Sequence, residues 1–161
     1  MPKQMEATIF VEKNWTKEEK YIHLLPQIQA VVAAETDLIA NMANVCALLK
    51  TYFNFFWIGF YRVQENALVL GPFQGTLACT RIAWGKGVCG TAWQKAETII
   101  VPDVEQFPGH IACSSASRSE IVVPGITNQM VTFVLDIDSE ELAAFDEVDA
   151  IYLAKIVAYL S

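Results

Sequence analysis

Residues 54–73 read NFFWIGFYRVQENALVLGPF, and this stretch decides the fold. Aromatic and β-branched residues fill positions 55–63, and a second apolar run follows over 67–73. The polar tripeptide at 64–66 between the two runs is a turn signal. Two such runs joined by a short polar turn predict an antiparallel β-hairpin.

A helical pattern precedes this hairpin. Thr16 followed three residues later by Glu19 forms a capping box, which satisfies free N–H groups in a first helical turn. A helix is therefore predicted to begin near Lys17. Pro26 is predicted to end or kink it, because proline lacks the N–H that an interior helical turn uses. Apolar residues at helical spacing continue as far as Leu49.

The chain beyond the hairpin predicts more strands, one long loop and a closing helix. Prolines, a glycine and serines replace any apolar period over 102–117, which predicts an ordered loop of the kind that often carries function. The turn signal at Pro124-Gly125 is predicted to separate two strands, and the last helix is predicted to follow Ser139. The expected elements are strands over 77–84, 98–101, 119–123 and 129–137 and a short helix over 91–96.

These elements indicate an α+β fold, with a mainly antiparallel central sheet and helices packed on it. The 161 residues and 53% apolar composition suit a single domain over 1–161. A net charge of -7 opposes nucleic-acid binding, and no apolar run approaches the ~20 residues of a membrane span. We expect a cytoplasmic protein, because the amino end lacks the layout of a secretory signal.

Four cysteines are present, Cys46, Cys79, Cys89 and Cys113. They form no CxxC pair, and there are only two histidines, so the sequence disfavours a structural zinc site. Cys46 lies close to the apolar stripe of the helical region and is interpreted as a core residue.

Two short motifs have weak alternative interpretations. The glycine-rich segment 85–90 resembles a phosphate loop but lacks its GxxxxGK[ST] spacing, so a tight turn between strand and helix is the preferred interpretation. The segment 72–79 matches the PxxxTxxC string of peroxiredoxins. However, the residues after Cys79 have the pattern of a strand instead of the helix that such a thiol requires.

Cys113 lies inside the long loop among small and hydroxyl-bearing residues, as an accessible thiol would. A nearby cation favours the nucleophilic thiolate, and Arg118 or His110 could supply it. An incidental loop cysteine is the alternative.

Three carboxylates lie at the ends of predicted strands. Glu120 begins one strand, and Asp136 and Asp138 end another, where their spacing of two places both on one face. Alternatively, Asp138 precedes the final helix and Ser139 caps it.

A series of segments in this order resembles the free methionine-(R)-sulfoxide reductases, a family of stand-alone GAF domains. The resemblance runs from about Asn14 to the carboxyl end and leaves residues 1–14 as an N-terminal extension. One departure is the segment NQMVTF at 128–133, where relatives commonly carry a glycine. The matching segments are FFWIGFY at 55–61, LGPFQG at 70–75, ACTRI at 78–82, GKGVCG at 85–90, VPDV at 101–104, FPGHIAC at 107–113, RSEIVVP at 118–124 and LDIDS at 135–139.

The resemblance implies thiol-based reduction of free methionine sulfoxide. Cys113 would attack the sulfoxide sulfur and become a sulfenic acid, and Cys79 would resolve it to a disulfide that thioredoxin reduces. Cys89 would line the site or act as an alternative resolving thiol. Electrons from thioredoxin would replace any bound cofactor. The family also implies a homodimer, formed through the helical layer.

The same resemblance assigns the substrate contacts. Glu120, Asp136 and Asp138 would hold the substrate ammonium group and position the polarised sulfoxide. Trp57 and Tyr61, four apart and so on one strand face, would wall the S-methyl group, with plain core packing as the alternative. A second hypothesis for the whole chain is a GAF-type small-molecule sensor without catalysis.

Overall fold

The computed structural model describes residue 9, residues 11–111 and residues 113–161. The predicted extension over 1–14 therefore falls mostly outside the described residues. Among the helices of the described chain, none combines the length and hydropathy that a membrane span needs. The elements in chain order are α1 (Lys17–Ala34), α2 (Leu38–Phe53), β1 (Trp57–Gln64), β2 (Ala67–Gln74), β3 (Arg81–Ala83), α3 (Gly87–Lys95), β4 (Ile99–Val101), a 3₁₀ turn (Val104–Gln106), β5 (Ser119–Thr127), β6 (Met130–Ser139) and α4 (Glu147–Leu160).

The six strands form one sheet in the order β3-β2-β1-β6-β5-β4, and every neighbouring pair is antiparallel. The predicted hairpin is β1 and β2, and it turns at Glu65, which has a positive φ of 55°. Strand β6 is central and pairs with both β1 and β5. The predicted α+β fold with an antiparallel central sheet is confirmed.

The two faces of the sheet are covered differently. Helices α2 and α4 pack on one face, and α1 packs against both of them. On this face Leu135 and Ile137 of β6 join Ile58 and Phe60 of β1 in a fully buried apolar core. The other face carries α3 and the loop over 102–118. Because side chains alternate along a strand, the residues of β6 between the core residues point to this second face.

Helix α1 begins at the predicted capping box, with Thr16 and Glu19 bonding each other's backbone N–H groups. The sequence predicts that Pro26 ends or kinks the helix; it does not end it, since α1 continues through it to Ala34, and the kink stays a prediction. Pro26 removes one backbone hydrogen bond from the helix. Burial of apolar side chains on the core face of α1, among them Leu24 and Ile28, offsets this loss.

The predicted turn at Pro124-Gly125 is also wrong. Both residues lie inside β5, and the chain turns at Asn128 and Gln129, which have positive φ values of 51° and 65°. Gly125 is needed for close packing: a Cβ added there would lie 2.2 Å from the Phe133 ring on β6. Glycine at this point therefore admits a cross-strand aromatic ring and an irregular register, and it does not end the strand.

Three element boundaries differ from their predictions. Strand β3 covers only 81–83 of the predicted 77–84, and α3 begins at Gly87, so the glycine-rich segment supplies its first turn. Helix α4 begins at Glu147 with Asp146 as its cap, several residues after Ser139. Lys17 of α1 contacts Asp146 at 2.8 Å, so a residue far away in sequence helps to fix this start.

Candidate active site

One pocket lies between the second face of the sheet and the loop that follows β4. Seven of the eight predicted site residues line it: Trp57 and Tyr61 of β1, Cys89 of α3, Cys113 of the loop, Glu120 of β5, and Asp136 and Asp138 of β6. The eighth, Cys79, is joined to the pocket by a disulfide with Cys113. The structure thus brings together residues that lie up to 81 positions apart, from Trp57 to Asp138.

The disulfide connects two segments that have no strand pairing to each other. Cys79 lies before β3, Cys113 lies in the long loop, and their Cα atoms are 5.5 Å apart. Cys113 is exposed, whereas Cys79 is half-buried. The prediction that Arg118 or His110 favours the Cys113 thiolate stays a prediction, since a disulfide sulfur does not ionise.

The two site aromatics hold the segment that carries Cys79. The indole Nε1 of Trp57 donates to the Thr76 carbonyl at 3.0 Å, and the Tyr61 hydroxyl donates to the Cys79 carbonyl at 2.9 Å. Within 77–80 the Tyr61 side chain thus satisfies the Cys79 carbonyl, while the Thr80 carbonyl accepts from the backbone N–H of Leu70 in β2. Nothing in the sequence pattern signals these bonds, which depend on tertiary contact.

The Trp57 ring also requires glycine beside it. A Cβ added at Gly59 would lie 2.2 Å from the ring carbon Cη2 of Trp57. The ring stacks on Phe73 with centroids 5.4 Å apart and lies 6.1 Å from the Tyr61 ring. The aromatic wall of the pocket is therefore packed tightly from behind, which fixes its orientation.

Three carboxyl groups cluster beside the aromatic wall on the same face of the sheet, because Trp57 pairs with Asp138 across β1 and β6, and Glu120 of β5 pairs with Asp138 from the other side. Burial raises the pKa of all three groups. It raises the pKa of Asp138 to about 6, and negative neighbours raise the pKa values of Glu120 and Asp136 further. Asp136 is 7% exposed, and its Oδ1 has no hydrogen-bond partner among the described residues.

Polar neighbours partly compensate the other two carboxylates. Ser117 donates its hydroxyl to Asp138, which holds the end of the loop against β6. The His110 Nε2 lies 3.6 Å from a carboxylate oxygen of Glu120. The alternative role of Asp138 before the final helix is excluded, since α4 begins at Glu147. Sequence reasoning assigned no role to Ser117, and its position in a serine-rich stretch gave no specific signal.

Cys89 is buried and lines the pocket from α3. Its sulfur and one oxygen each of Glu120 and Asp136 all lie within 4.8 Å of one another, so these three residues could hold a metal ion or another cation. Burial, with the negative charge of Asp136 and Glu120, raises the pKa of the Cys89 thiol. The thiol is therefore neutral in this environment. Cys46, by contrast, is buried in the apolar core on the other face, as predicted, and its burial raises its pKa to about 12.

No family model matches the chain. GAF domain-containing protein A of Dictyostelium discoideum is 60% identical over 146 residues, which cover 90% of this chain and 92% of that protein. The free methionine-R-sulfoxide reductase of Escherichia coli is 44% identical over 145 residues, covering 89% and 88% of the two chains.

Two solved structures extend this similarity. The X-ray structure of free methionine-R-sulfoxide reductase from Neisseria meningitidis, in complex with its substrate, is 55% identical, with a TM-score of 0.89 over 91% of this chain and 89% of that one. The reduced form of the Staphylococcus aureus enzyme has 43% identity and a TM-score of 0.85, over 91% and 94% of the two chains. The chain therefore belongs to the free methionine-R-sulfoxide reductases, oxidoreductases with the GAF fold.

Proposed function

We propose that this protein reduces free methionine-R-sulfoxide to methionine, with Cys113 as the nucleophile. The observation that carries the proposal is the Cys79–Cys113 disulfide on a pocket lined by three carboxyl groups and two aromatic rings. Once the disulfide is reduced, such a pocket offers one thiolate to a small ligand that has a cationic end and an apolar end. Methionine sulfoxide has both, in addition to an electrophilic sulfur.

In the first step the Cys113 thiolate attacks the sulfoxide sulfur. The oxygen passes to Cys113 as a sulfenic acid, and methionine leaves with the electron pair of its sulfur. The Cys79 thiolate then attacks the sulfenic sulfur, the S–O bond breaks, and water leaves as the disulfide forms. The bonded pair supports Cys79 as the resolving residue, whereas the neutral, buried thiol of Cys89 suits a role in lining the site.

The carboxyl cluster has two tasks in this mechanism. The sulfoxide oxygen gains negative charge as its sulfur is attacked, so a proton donor stabilises the transition state. The raised pKa values of Glu120, Asp136 and Asp138 keep a proton within the cluster near neutral pH. The remaining negative charge binds the α-ammonium group. A methionine sulfoxide residue inside a peptide lacks that charge, which explains the selectivity for the free amino acid.

The aromatic wall completes the substrate site. Trp57 and Tyr61 line the pocket from β1, next to the carboxyl groups of β6, at a position suited to the S-methyl group. Apolar contact at one end and charge at the other orient the substrate, so its sulfur faces Cys113.

The proposal also covers the surroundings of the reaction. Thioredoxin supplies the electrons, no bound cofactor or metal takes part, and the protein works in the cytoplasm. It acts as a homodimer joined through the helical layer, and the exposed Ile22 on α1 and Ile151 on α4 support that choice of face.

The deciding experiment couples thioredoxin and its NADPH-dependent reductase to the protein and follows NADPH consumption with free methionine-R-sulfoxide. Cys113→Ser should abolish turnover. Cys79→Ser should release one equivalent of methionine per subunit and then recycle slowly. The matched control is Cys46→Ala, which removes a cysteine from the opposite face and should retain full activity. Equal multiple turnover by Cys113→Ser would refute the assignment.

The alternative function, a GAF-type sensor, makes a different prediction. A binding module would show saturable binding of its ligand with no NADPH consumption and no dependence on Cys113. The disulfide on the pocket favours the reductase, because a pure binding module has no need of paired thiols.

A further inference from the structure

Two exposed apolar side chains flank the disulfide at the same distance along the chain. Leu77 precedes Cys79 by two residues and is 89% exposed, and Ile111 precedes Cys113 by two residues and is 41% exposed. Both line the pocket. Single exposed leucines are common on protein surfaces, so the exposure alone decides nothing. Their position on both sides of the disulfide is what calls for an explanation.

We propose that Leu77 and Ile111 form an apolar docking collar for a protein dithiol that reduces the Cys79–Cys113 disulfide. This inference rests on the proposed function, because it assumes that the disulfide forms during turnover. It goes further by assigning the surface through which the electrons arrive.

The geometry of thiol–disulfide exchange carries the argument. Cys113 is the exposed partner of the disulfide, so the incoming thiolate approaches from its side. That thiolate bonds to the Cys113 sulfur, the S–S bond breaks, and the electron pair leaves on Cys79, which takes up a proton. The second thiol of the reductant then attacks its own sulfur in the mixed disulfide. Cys113 is released as a thiolate, and the reductant becomes the oxidised disulfide.

A protein that brings a thiolate to Cys113 must cover both collar residues. Two residues of chain span at most about 7 Å, so Leu77 and Ile111 lie close to the cysteines that follow them. Even a weak redox encounter buries about 500 Å² per partner, which corresponds to a patch with a radius of roughly 13 Å. Any such patch centred on the disulfide includes both side chains. A small dithiol such as dithiothreitol reaches the sulfur without covering them.

The chemistry of the collar specifies the partner surface. The segment 75–80 contains no charged residue, and around Cys113 the segment 107–115 contains only His110 as an ionisable group besides the cysteine. In a chain with a net charge of -7, these two segments carry little charge, and the exposed Lys86 lines the same pocket as Leu77 and Ile111. The two apolar side chains fit a reductant whose reactive cysteine is surrounded by apolar side chains.

The test compares two electron donors, thioredoxin and dithiothreitol, in Leu77→Ser and Ile111→Ser. The measured quantity is the ratio of thioredoxin-supported to dithiothreitol-supported kcat/KM for the reductant, which cancels any effect on the chemistry. We expect this ratio to fall at least fivefold in each variant. The matched control is Met130→Ser, which removes a side chain that is 67% exposed at the far end of β6.

An unchanged ratio in both variants would overturn the collar. So would an equal fall of the ratio in Met130→Ser, because that side chain lies at the far end of β6. If the unsubstituted protein shows no methionine formation with dithiothreitol, the proposed function itself has failed. That outcome is separate from failure of the docking surface, which leaves dithiothreitol-supported turnover intact.

Discussion

The two faces of the sheet use the same strand for opposite purposes. On β6, Leu135 and Ile137 face a core of apolar side chains, whereas Asp136 and Asp138 face a pocket in which three carboxyl groups crowd together. The first face contributes burial free energy and contains no carboxylate from the strand. The second face bears carboxyl groups whose charged forms are disfavoured by burial. The apolar core face therefore stabilises the same strand backbone that positions the carboxyl groups of the pocket.

The largest expected effect comes from placing a charge on the apolar core face of the sheet. Leu135→Asp buries a carboxylate among apolar side chains without a partner, so we expect a loss of roughly 5 kcal/mol or more in unfolding free energy and little folded protein. Asp136→Asn, one residue away, should fold normally, with a gain in stability above neutral pH and a loss of at least about tenfold in kcat/KM. Urea unfolding and steady-state kinetics measure both changes.

A comparable loss of stability in both variants would contradict the comparison, because it would mean that the Asp136 carboxyl group contributes to stability instead of reducing it. Conversely, full activity in Asp136→Asn would show that the carboxyl cluster is not needed for catalysis.

An intermediate effect concerns the pH dependence of stability. The pKa of Asp138 rises from 3.8 to about 6 on folding. A carboxyl with a raised folded pKa binds its proton more tightly in the folded state, so it costs no stability below pH 3.8. Its cost grows as pH rises towards 6 and is constant above that. Relative to Asp138→Asn, the unsubstituted protein should therefore lose stability between about pH 4 and pH 6. Urea unfolding across this range measures the difference, and a constant or increasing relative stability would contradict it.

The smallest expected effect concerns the hydrogen bond from Tyr61 of β1 to the segment that carries Cys79. Tyr61→Phe removes the hydroxyl that donates to the Cys79 carbonyl, at a stability cost of about 1 kcal/mol. We expect the first equivalent of methionine to form at nearly the normal rate, while disulfide formation slows severalfold because the Cys79 segment is held less firmly. Rapid quenching followed by thiol counting separates the two steps. Equal slowing of both steps would assign Tyr61 to substrate contact alone.

Local signals in the sequence predicted local structure well. The capping box at Thr16 fixed the start of α1, and the alternation on either side of residues 64–66 gave the hairpin, because the atoms that decide both features lie within a few residues. Errors arose where distant residues decide. Gly125 remains in a strand because of the Phe133 ring, and α4 begins late, where Asp146 both caps it and meets Lys17.

The site residues show the same division between features that nearby residues decide and features that distant residues decide. The spacing of Asp136 and Asp138 predicted a shared face, and the structure places both side chains in the pocket. The pairing of Cys79 with Cys113 was expected only from resemblance, because chain spacing does not reveal which segments meet. The bonds from Trp57 and Tyr61 to the Cys79 segment were not predicted, since they depend on side chains crossing between non-adjacent elements.

The strict alternation along β6 also limits which changes of length this chain tolerates. Deleting or inserting one residue between 134 and 138 would exchange the two sets of side chains, placing carboxylates in the hydrocarbon interior and leucine or isoleucine beside the disulfide. The turn at 128–129 bears no such constraint, because an added residue there leaves the register of the paired strands intact. Strand β6 thus tolerates substitutions but not insertions or deletions, and insertions and deletions should accumulate at the turn over 128–129.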